Sequence, residues 1–289
     1  MERILVTGGD GLLAYQWKKS PPPGFEIHFL SHAEFDLTRP EIMARQLATL
    51  RPQVVINTAA YNLVDRCEIK RELSWAVNAT GPQTLARLCA ENNIRLVHYG
   101  TDYAFDGAKT SPYTEADPPH PLNHYGAGKL AGEQAVLQAS PAHLVLRTSW
   151  VFAWHPSQSK TFIHTILKTA REGRPMKSST DQASVPTFAA DLAQWTIELV
   201  CARASGLFHA VNDDGLSRFE WTKSILAEAV RAHLLPAEPP VEPVSSAFFN
   251  STMRRPHYTI MSNQKLSRQL GRPLGSWLPG MRALLAQLR

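Results

Sequence analysis

The stretch Ile4–Ala14, ILVTGGDGLLA, decides the fold. A short apolar run, Ile4–Val6, ends at a glycine turn, and a helical pattern follows at once. Gly8 and Gly11 have the spacing that lets backbone N–H groups approach a pyrophosphate at a helix N-terminus. Ala14 takes the third position of this pattern, which needs only a small residue for packing. A tight turn without a ligand would look the same, but the place of this turn in the first strand–helix unit favours dinucleotide binding.

The next segments continue the alternation of strand and helix. Apolar runs of strand length alternate with amphipathic stretches, and the connections between them are short. This order is typical of a parallel sheet with helices on both faces, so we expect an α/β fold with a doubly wound, Rossmann-type sheet. The predicted strands are 26–30, 54–56 and 96–99, and the predicted helices are 42–50 and 85–91.

After Phe152 the strict alternation fades. No Gly/Ser linker divides the chain, so we expect a dinucleotide-binding domain over 1–152 and a smaller, interleaved substrate-binding part over 153–289. Segments at about 183–212 are expected to pack back onto the first domain. The predicted elements are helices over 162–172, 191–202, 219–233 and 277–288, a strand over 206–211, and a proline-rich loop over 236–243.

Composition excludes several classes of protein. The net charge of +5 comes without a basic block, which argues against nucleic acid as a partner and agrees better with a small anionic ligand. No apolar run is long enough to span a membrane, and the N-terminus is too polar for a secretory signal. Three scattered cysteines indicate reduced thiols and a cytoplasmic protein. The His and carboxylate spacings fit no metal site, and His98, His120 and His124 are interpreted as packing or loop residues.

A candidate catalytic group follows the fourth predicted strand. Thr101 stands where this strand leaves the sheet, and ligands of doubly wound folds bind at such carboxyl ends. Tyr125 and Lys129 are four residues apart, so on a helix they lie on one face and can converge with Thr101. A second pair with this spacing, Tyr15 and Lys19, lies on the helix behind the glycine turn and is interpreted as part of an exposed helix face.

These segments resemble the dTDP-4-dehydrorhamnose reductase family, a branch of the extended short-chain dehydrogenases/reductases. The resemblance covers essentially the whole chain, and its most distinctive parts are Thr-Asp-Tyr and Tyr-x-x-x-Lys-x-x-Gly-Glu. The matching segments are RPQVVINTAAYNLVDRCE (51–68), VNATGP (77–82), LVHYGTDYAFDG (96–107), PYTEADPPHPLNHYGAGKLAGE (112–133), LVLRTSWVF (144–152), DQASVPTFAADLA (181–193), GLFHAVN (206–212) and RRPHYTIMSNQKL (254–266).

The resemblance implies an NAD(P)H-dependent reduction of the C4 ketone of a nucleotide-linked 4-keto-6-deoxyhexose, with dTDP-4-dehydro-L-rhamnose converted to dTDP-L-rhamnose. Tyr125 would give a proton to the ketone oxygen, Lys129 would lower the pKa of this phenol, and Thr101 would hold the carbonyl. Two alternatives stay open: reduction of another keto-sugar nucleotide in antibiotic or surface-sugar biosynthesis, and a non-catalytic cofactor-binding regulatory subunit.

Further site residues follow from the same resemblance. Asp102 and Trp150 would contact the substrate, although Trp150 could equally be a core residue. Arg254 or Arg255, of which we select Arg255, could bind a diphosphate or could be solvated. The expected cofactor contacts are Gly8, Gly11, Leu12, Leu13, Leu30, Asp36, Leu37, Ala60, Tyr61, Asn62, Tyr99, Tyr125 and Lys129.

The second strand ends Phe29-Leu30-Ser31-His32, without the acidic residue that binds an adenosine ribose 2′-hydroxyl, and this favours NADPH slightly over NADH. The chain also departs from the family pattern at three places. Gly100 replaces the usual serine before Thr101, and the segment from Ala153 to Lys160 lacks the usual glycines and asparagines. Ser262 stands where the family normally has Asp or Asn. Because family members are often dimers, a homodimer is expected.

Overall fold

The computed structural model describes residues 1–157 and 161–288 of the 289-residue chain. Each strand is short, and most residues of 2–7, 54–57, 95–101 and 144–148 are buried, whereas Phe25–Leu30 is only partly buried. The strands are β1 (Glu2–Thr7), β2 (Phe25–Leu30), β3 (Val54–Asn57), β4 (Arg95–Thr101), β5 (Leu144–Thr148), β6 (Val151–Phe152), β7 (Met176–Ser179), β8 (Ala183–Ser184), β9 (Thr187–Phe188), β10 (Gly206–His209), β11 (Leu216–Ser217) and β12 (Val241–Val244).

Helices separate most of these strands. The helices are α1 (Leu12–Lys19), α2 (Pro40–Leu50), α3 (Val64–Cys67), α4 (Arg71–Trp75), α5 (Gly81–Glu91), α6 (His124–Ala139), α7 (Phe162–Arg171), α8 (Ala189–Cys201), α9 (Arg218–Arg231), α10 (Gln264–Leu270) and α11 (Leu278–Ala286). A π-helical segment, Ala76–Thr80, joins α4 to α5, and short 3₁₀ turns occur at Asp102–Ala104 and Ser246–Phe249. None of the helices in the described ranges is both long enough and apolar enough to cross a membrane.

The central sheet has six strands in the order β10-β5-β4-β3-β1-β2, and every pair is parallel. The chain starts in the middle of this sheet and winds outward in both directions, so the expected doubly wound fold is confirmed. The outer strand β10 comes from the second half of the chain and pairs with β5. The remaining strands form three two-stranded pairs: β11 with β8, β12 with β7, and β6 with β9.

Both faces of the sheet are covered by apolar side chains. On one face, Ile4 and Val97 pack with residues of α1 and α8, and the indole N–H of Trp17 donates to the carbonyl of Ala193 at 3.1 Å. On the other face, Leu5 packs with residues of α2, α5 and α6. Because helices cover the faces, the carboxyl ends of the strands remain as the place where a ligand can bind.

One element of the second half differs from the sequence expectation. The loop expected over 236–243 is partly a strand, because Val241–Val244 pairs in parallel with Met176–Ser179. Pro243 lies in this strand, which is possible because the pair has two edges and proline is tolerated where no hydrogen-bond donor is needed. The strand forms part of the second apolar core, built from α7, α9 and α11.

Candidate active site

The glycine turn after β1 is shaped to hold a phosphate group. Gly8 has φ +63°, a conformation that favours glycine, and a side chain there would lie 3.0 Å from the backbone nitrogen of Ala59. The amide of Gly11 donates to the carbonyl of Gly8, and the amide of Gly9 donates to Leu30, each at 2.8 Å. Gly11 is the N-cap of α1 and has no side chain to cap it, so the first amides of α1 can bind an anion. These residues fit a dinucleotide pyrophosphate.

The expected adenosine contacts lie in the segment after β2. The carboxylate of Asp36 accepts hydrogen bonds from the amide and hydroxyl of Thr38, both at 2.8 Å, and Leu37 is buried in the core. A carboxylate that the sequence analysis missed also lies here. Glu34 Oε2 accepts from the amide of Ser31 at 2.9 Å and from its hydroxyl at 2.7 Å. Thus an acidic group does stand near the end of β2, four residues after Leu30.

The turn after β3 is held by a residue in the π-helical segment. Asn78 Oδ1 accepts from the amide of Tyr61 at 2.9 Å, and Asn78 Nδ2 donates to the carbonyl of Tyr61 at 3.0 Å. Ala60 and Asn62 on either side are exposed. The π-helical segment therefore fixes the turn that was expected to contact the cofactor. Such π-helical turns are frequent at functional sites. The expected contact Tyr99 has its side chain in the core, with its hydroxyl 2.7 Å from that of Thr196.

The start of α6 is fixed by two side-chain oxygens that accept hydrogen bonds from its first amides. Asn123, the N-cap, accepts a hydrogen bond from the amide of Gly126 at 2.8 Å, and Glu68 accepts one from the amide of His124 at 2.7 Å. Asn123 also donates to the carbonyl of Arg254 at 2.9 Å. These contacts satisfy amides that a helix start leaves unpaired, and they set the position of Tyr125 at the beginning of the helix.

Glycines bring α6 close to its neighbours. A side chain at Gly126 would clash with the carbonyl oxygen of Tyr103, and one at Gly132 would clash with the carbonyl oxygen of Asn78. The helix can therefore lie directly against the end of β4 and the π-helical segment. Tyr125 packs edge-on against Tyr103, with ring centroids 5.8 Å apart. The close packing brings Thr101, Tyr125 and the buried Lys129 to one edge of the sheet.

The side chain of Thr101 lies close enough to Tyr125 to influence its pKa. Burial raises the pKa of Tyr125, an effect that the neighbouring Thr101 only partly opposes. The cost of burying the phenolate dominates the pKa of Tyr125, and the expected lowering by Lys129 stays a prediction. A phenol with a raised pKa stays protonated at neutral pH, which is the form that can donate a proton.

Lys129 lies among buried polar groups. Burial lowers its pKa to about 8, and the nearby carboxylate of Glu133, one turn along α6, opposes this shift. On the other side, burial and the charge of Lys129 lower the pKa of His98 well below its usual value, so His98 is neutral. Asn57 Nδ2 lies 3.1 Å from His98 Nδ1, and Asn57 Oδ1 accepts from Thr7 at 2.6 Å. His98 is thus a packing residue, as interpreted from sequence.

Asp102 occupies a different environment from the one expected. Its carboxylate is buried and accepts hydrogen bonds from three hydroxyls: Thr101 at 3.2 Å, Ser184 at 2.9 Å and Thr259 at 2.6 Å. These bonds join the end of β4 to two segments of the second half. Asp102 therefore orients Thr101 and is not directed toward a ligand; the sequence missed this because its partners lie 82 and 157 residues away.

A cavity of about 950 Å³ lies between Asp65 of α3 and segments of the second half of the chain. Arg255 lines it, whereas Arg254 is exposed. The guanidinium of Arg255 donates to Asp65 at 2.7 and 2.8 Å and to the hydroxyl of Tyr103 at 3.3 Å. Arg255 and Tyr103 therefore stand between the cavity and Tyr125, which packs against Tyr103. Its size suits a nucleotide-sized ligand.

Several other residues named in the sequence analysis pack against neighbouring aromatic rings. Trp150 is half-buried, stacks on Trp221 with centroids 5.1 Å apart, and does not line the cavity wall. In the divergent segment from Ala153, the rings of Trp154 and His155 pack around Tyr15 at 5.9 and 4.8 Å. Residues 158–160 of that segment lie outside the described residues. Lys19 is exposed, consistent with the interpretation of the pair Tyr15 and Lys19 as a helix face.

In residues 1–157 and 161–288, no three His, Cys, Asp or Glu side chains cluster in a way that could hold a metal ion. The exposed His120 lies 3.3 Å from Asp106, and His124 Nε2 lies 2.9 Å from the carbonyl of Arg71. These histidines therefore have local packing partners.

Comparisons with known proteins agree with this geometry. A family model described as RmlD substrate binding domain matches residues 1–289. A dTDP-4-dehydrorhamnose reductase of Burkholderia thailandensis is 35% identical over 286 residues, covering 95% of each chain. One of Mycobacterium tuberculosis is 36% identical over 292 residues, covering 99% of this chain and 93% of the relative.

Solved structures give the same result. The crystal structure of dTDP-4-dehydrorhamnose reductase from Bacillus anthracis, in complex with NADP, superposes with a TM-score of 0.91 at 30% identity and 99% coverage of both chains. A UDP-glucose 4-epimerase of Thermus thermophilus, in complex with NAD, has a TM-score of 0.81 at 19% identity over 98% of this chain and 97% of the epimerase, so it shares the fold alone. The chain therefore belongs to the dTDP-4-dehydrorhamnose reductase family.

Proposed function

We propose that this chain reduces the C4 ketone of dTDP-4-dehydro-L-rhamnose to the alcohol of dTDP-L-rhamnose, with NADPH as the preferred reductant. The family membership supports the reaction, and the relative from Bacillus anthracis in complex with NADP supports the cofactor. The observation that supports the proposal is that Thr101, the last residue of β4, lies close to Tyr125 on α6, with the buried Lys129 one turn further along the same helix.

Tyr125 is the proposed proton donor. Its raised pKa keeps the hydroxyl protonated at neutral pH, and the reduction needs one proton on the developing alkoxide. Thr101, whose hydroxyl donates to Asp102 here, would hold the carbonyl oxygen by turning that O–H toward the bound substrate. The ammonium of Lys129 stabilises the phenolate left after proton transfer, because an opposite charge one helical turn away favours the charged form.

The residues that would hold the cofactor are those of the glycine turn and the turn after β3. The first amides of α1 would bind the pyrophosphate of the dinucleotide. The backbone around Tyr61, fixed by Asn78, would face another part of the same dinucleotide. When bound, the nicotinamide supplies a hydride to the ketone carbon. Lys129 is placed to donate hydrogen bonds to ribose hydroxyls.

We also propose a cytoplasmic homodimer. The resemblance supports the dimer, and the location is supported by the free thiols of Cys67, Cys89 and Cys201, among which the described residues form no disulfide. Sedimentation velocity of the purified protein at micromolar concentration tests the dimer, with a single species near twice the chain mass of 32.1 kDa as the expected result. A single species at the chain mass would contradict it.

The reaction is tested by following nicotinamide absorbance with enzymatically prepared dTDP-4-keto-6-deoxy sugars, using NADPH and NADH in parallel. We expect oxidation of the cofactor with the L-lyxo 4-keto sugar, and NMR of the product should identify dTDP-L-rhamnose. Faster turnover of another keto-sugar nucleotide would replace the substrate assignment. Absence of turnover with all of them, combined with intact cofactor binding, would favour the regulatory subunit.

A further inference from the structure

Among the described residues, four cationic side chains line the cavity of about 950 Å³. Three of them already have carboxylate partners: Arg174 with Glu172 at 2.6 Å, Lys177 with Glu242 at 2.9 Å, and Arg255 with Asp65 at 2.7 Å. The fourth is Arg218, the first residue of α9. Within residues 1–157 and 161–288, no carboxylate lies within ion-pair distance of Arg218, and no group accepts a hydrogen bond from its guanidinium.

Aromatic rings hold Arg218 in place. Its guanidinium carbon lies 3.7 Å from the ring centroid of Trp150, 4.6 Å from that of Phe162 and 5.4 Å from that of Trp221. Trp221 in turn stacks on both Trp150 and Phe162, at 5.1 and 5.0 Å. The flat faces of the guanidinium are thereby used in cation–π contacts, while its N–H edge stays available to a ligand in the cavity.

The local chain is built to present this arginine. Ser217 and Glu220 form a capping box at the start of α9, which fixes Arg218 and Trp221 one turn apart on the same helix face. Trp150 has φ +40°, a left-handed conformation that is costly for a bulky residue. Such strain persists only where surrounding structure maintains it, and it is concentrated at ligand sites.

The positive charge of Arg218, which has no ion-pair partner among the described residues, favours an anionic ligand. Burial lowers the pKa of Arg218 to about 10, so the side chain is still charged at neutral pH. Asp102, a carboxylate that acts on it, is already hydrogen-bonded to three hydroxyls. A partly buried charge without an ionic partner is more favourable when an anion compensates it.

Resting on the proposed function, we propose that Arg218 is the residue that binds the diphosphate of the sugar nucleotide and that Arg255 is not. A guanidinium edge with free N–H groups matches phosphate oxygens in geometry and charge. Arg255 is less suited, because both oxygens of Asp65 accept its N–H groups, at 2.7 and 2.8 Å, and the carboxylate in the cavity wall would repel a diphosphate. Arg255 then closes the cavity through its ion pair.

The test compares binding of dTDP and of thymidine, measured by NMR titration on the full-length protein. The variants are Arg218→Gln, Arg218→Lys and Arg255→Gln, with Arg254→Gln as the matched control because its side chain is exposed. Circular dichroism and melting temperature verify that each variant is folded. Losing a charge-assisted contact to the diphosphate should weaken dTDP binding by about 10- to 100-fold in Arg218→Gln and leave thymidine binding nearly unchanged.

Arg218→Lys keeps the charge but loses the planar fork, so an intermediate loss is expected. The inference is overturned if Arg218→Gln binds dTDP within about threefold of wild type, if thymidine binding falls equally, if Arg255→Gln causes the larger loss, or if wild type does not bind dTDP. Turnover of the 4-keto sugar nucleotide is measured separately. Turnover without Arg218-dependent binding refutes this inference alone, and Arg218-dependent binding without turnover refutes the proposed function alone.

Discussion

Glu133 and Arg147 form a buried, bidentate ion pair directly beneath the candidate active site. Arg147 donates to Glu133 at 2.9 Å through Nε and at 2.5 Å through Nη2, and both side chains are only 3% exposed. The pair faces Gly100 on β4, where a side-chain carbon would lie 2.6 Å from Glu133 Oε2. The ion pair therefore fills the space in which a side chain at position 100 would lie.

Replacing Gly100 with serine should therefore be destabilising. The added atoms would displace Glu133 or Arg147 from a fully packed, charged interior, at a cost of about 1–3 kcal/mol in the free energy of unfolding. Urea denaturation measures this cost. Gly128→Ser is the matched control, because a side-chain carbon at Gly128 would meet its first neighbour at an ordinary 3.5 Å. Equal stability of the Gly100→Ser protein and wild type would refute the packing argument.

Two glycines on α6 should respond oppositely to alanine. Gly132→Ala forces a methyl group against the backbone carbonyl of Asn78, which cannot move without disturbing the π-helical segment. We expect a loss of about 1–3 kcal/mol in unfolding free energy. Gly128→Ala meets no such obstacle and should gain up to about 1 kcal/mol from helix propensity. Thermal and urea unfolding of the two variants make the comparison, and the same sign for both would contradict it.

Lys129 should reduce stability at neutral pH. Its pKa in the folded chain is about 8, below the ordinary value of 10.5, so between these values the unfolded chain binds more protons and stability rises with pH. Lys129→Met should therefore melt above wild type at pH 7, by a margin that shrinks toward pH 10. Melting temperature against pH tests this, and a variant that melts below wild type at pH 7 would show the opposite sign.

The lowered pKa of Lys129 also predicts how the reaction rate depends on pH. If the ammonium of Lys129 is needed to stabilise the phenolate, kcat/KM should fall as pH rises through about 8. The measurement is initial rate against pH with saturating cofactor. A rate that stays level to pH 9.5 would mean that the charge of Lys129 is not required.

Glu34 should influence cofactor choice. Hydrogen bonds from Ser31 lower its pKa, so the carboxylate at the end of β2 is ionised at neutral pH and repels a 2′-phosphate. Glu34→Gln should raise the preference for NADPH over NADH, as a ratio of kcat/KM, by about fivefold. Glu41→Gln is the control, because Glu41 lies on α2 and pairs with Arg39. An unchanged ratio in Glu34→Gln would show that this carboxylate does not face the ribose.

The elements that sequence predicted best are those determined by local pattern. The glycine turn after β1, the strand that ends at Thr101 and the helix that carries Tyr125 all depend on residues within a few positions of each other. Apolar runs and glycine or proline signals encode such elements directly. The loop expected at 236–243 was partly wrong, because pairing of Val241–Val244 with β7 depends on a contact 65 residues away.

The parts of the site that sequence did not predict depend on distant contacts. Arg218 has no local signal of function, and its role follows only when Trp150 and Phe162 come together around it. Asp102 has the sequence context of a ligand residue, yet its Oδ2 accepts hydrogen bonds from both Ser184 and Thr259. Such partners cannot be inferred from spacing, because the fold alone brings them together.

The central claim is that Tyr125 donates the proton to the C4 oxygen. The most direct measurement is the single-turnover rate of NADPH oxidation by Tyr125→Phe with the dTDP-4-keto sugar, alongside wild type. Loss of a positioned proton donor predicts a fall in rate of about 10²- to 10⁴-fold, with the affinities for substrate and cofactor retained. A Tyr125→Phe protein that reduces the ketone at the wild-type rate would contradict the account.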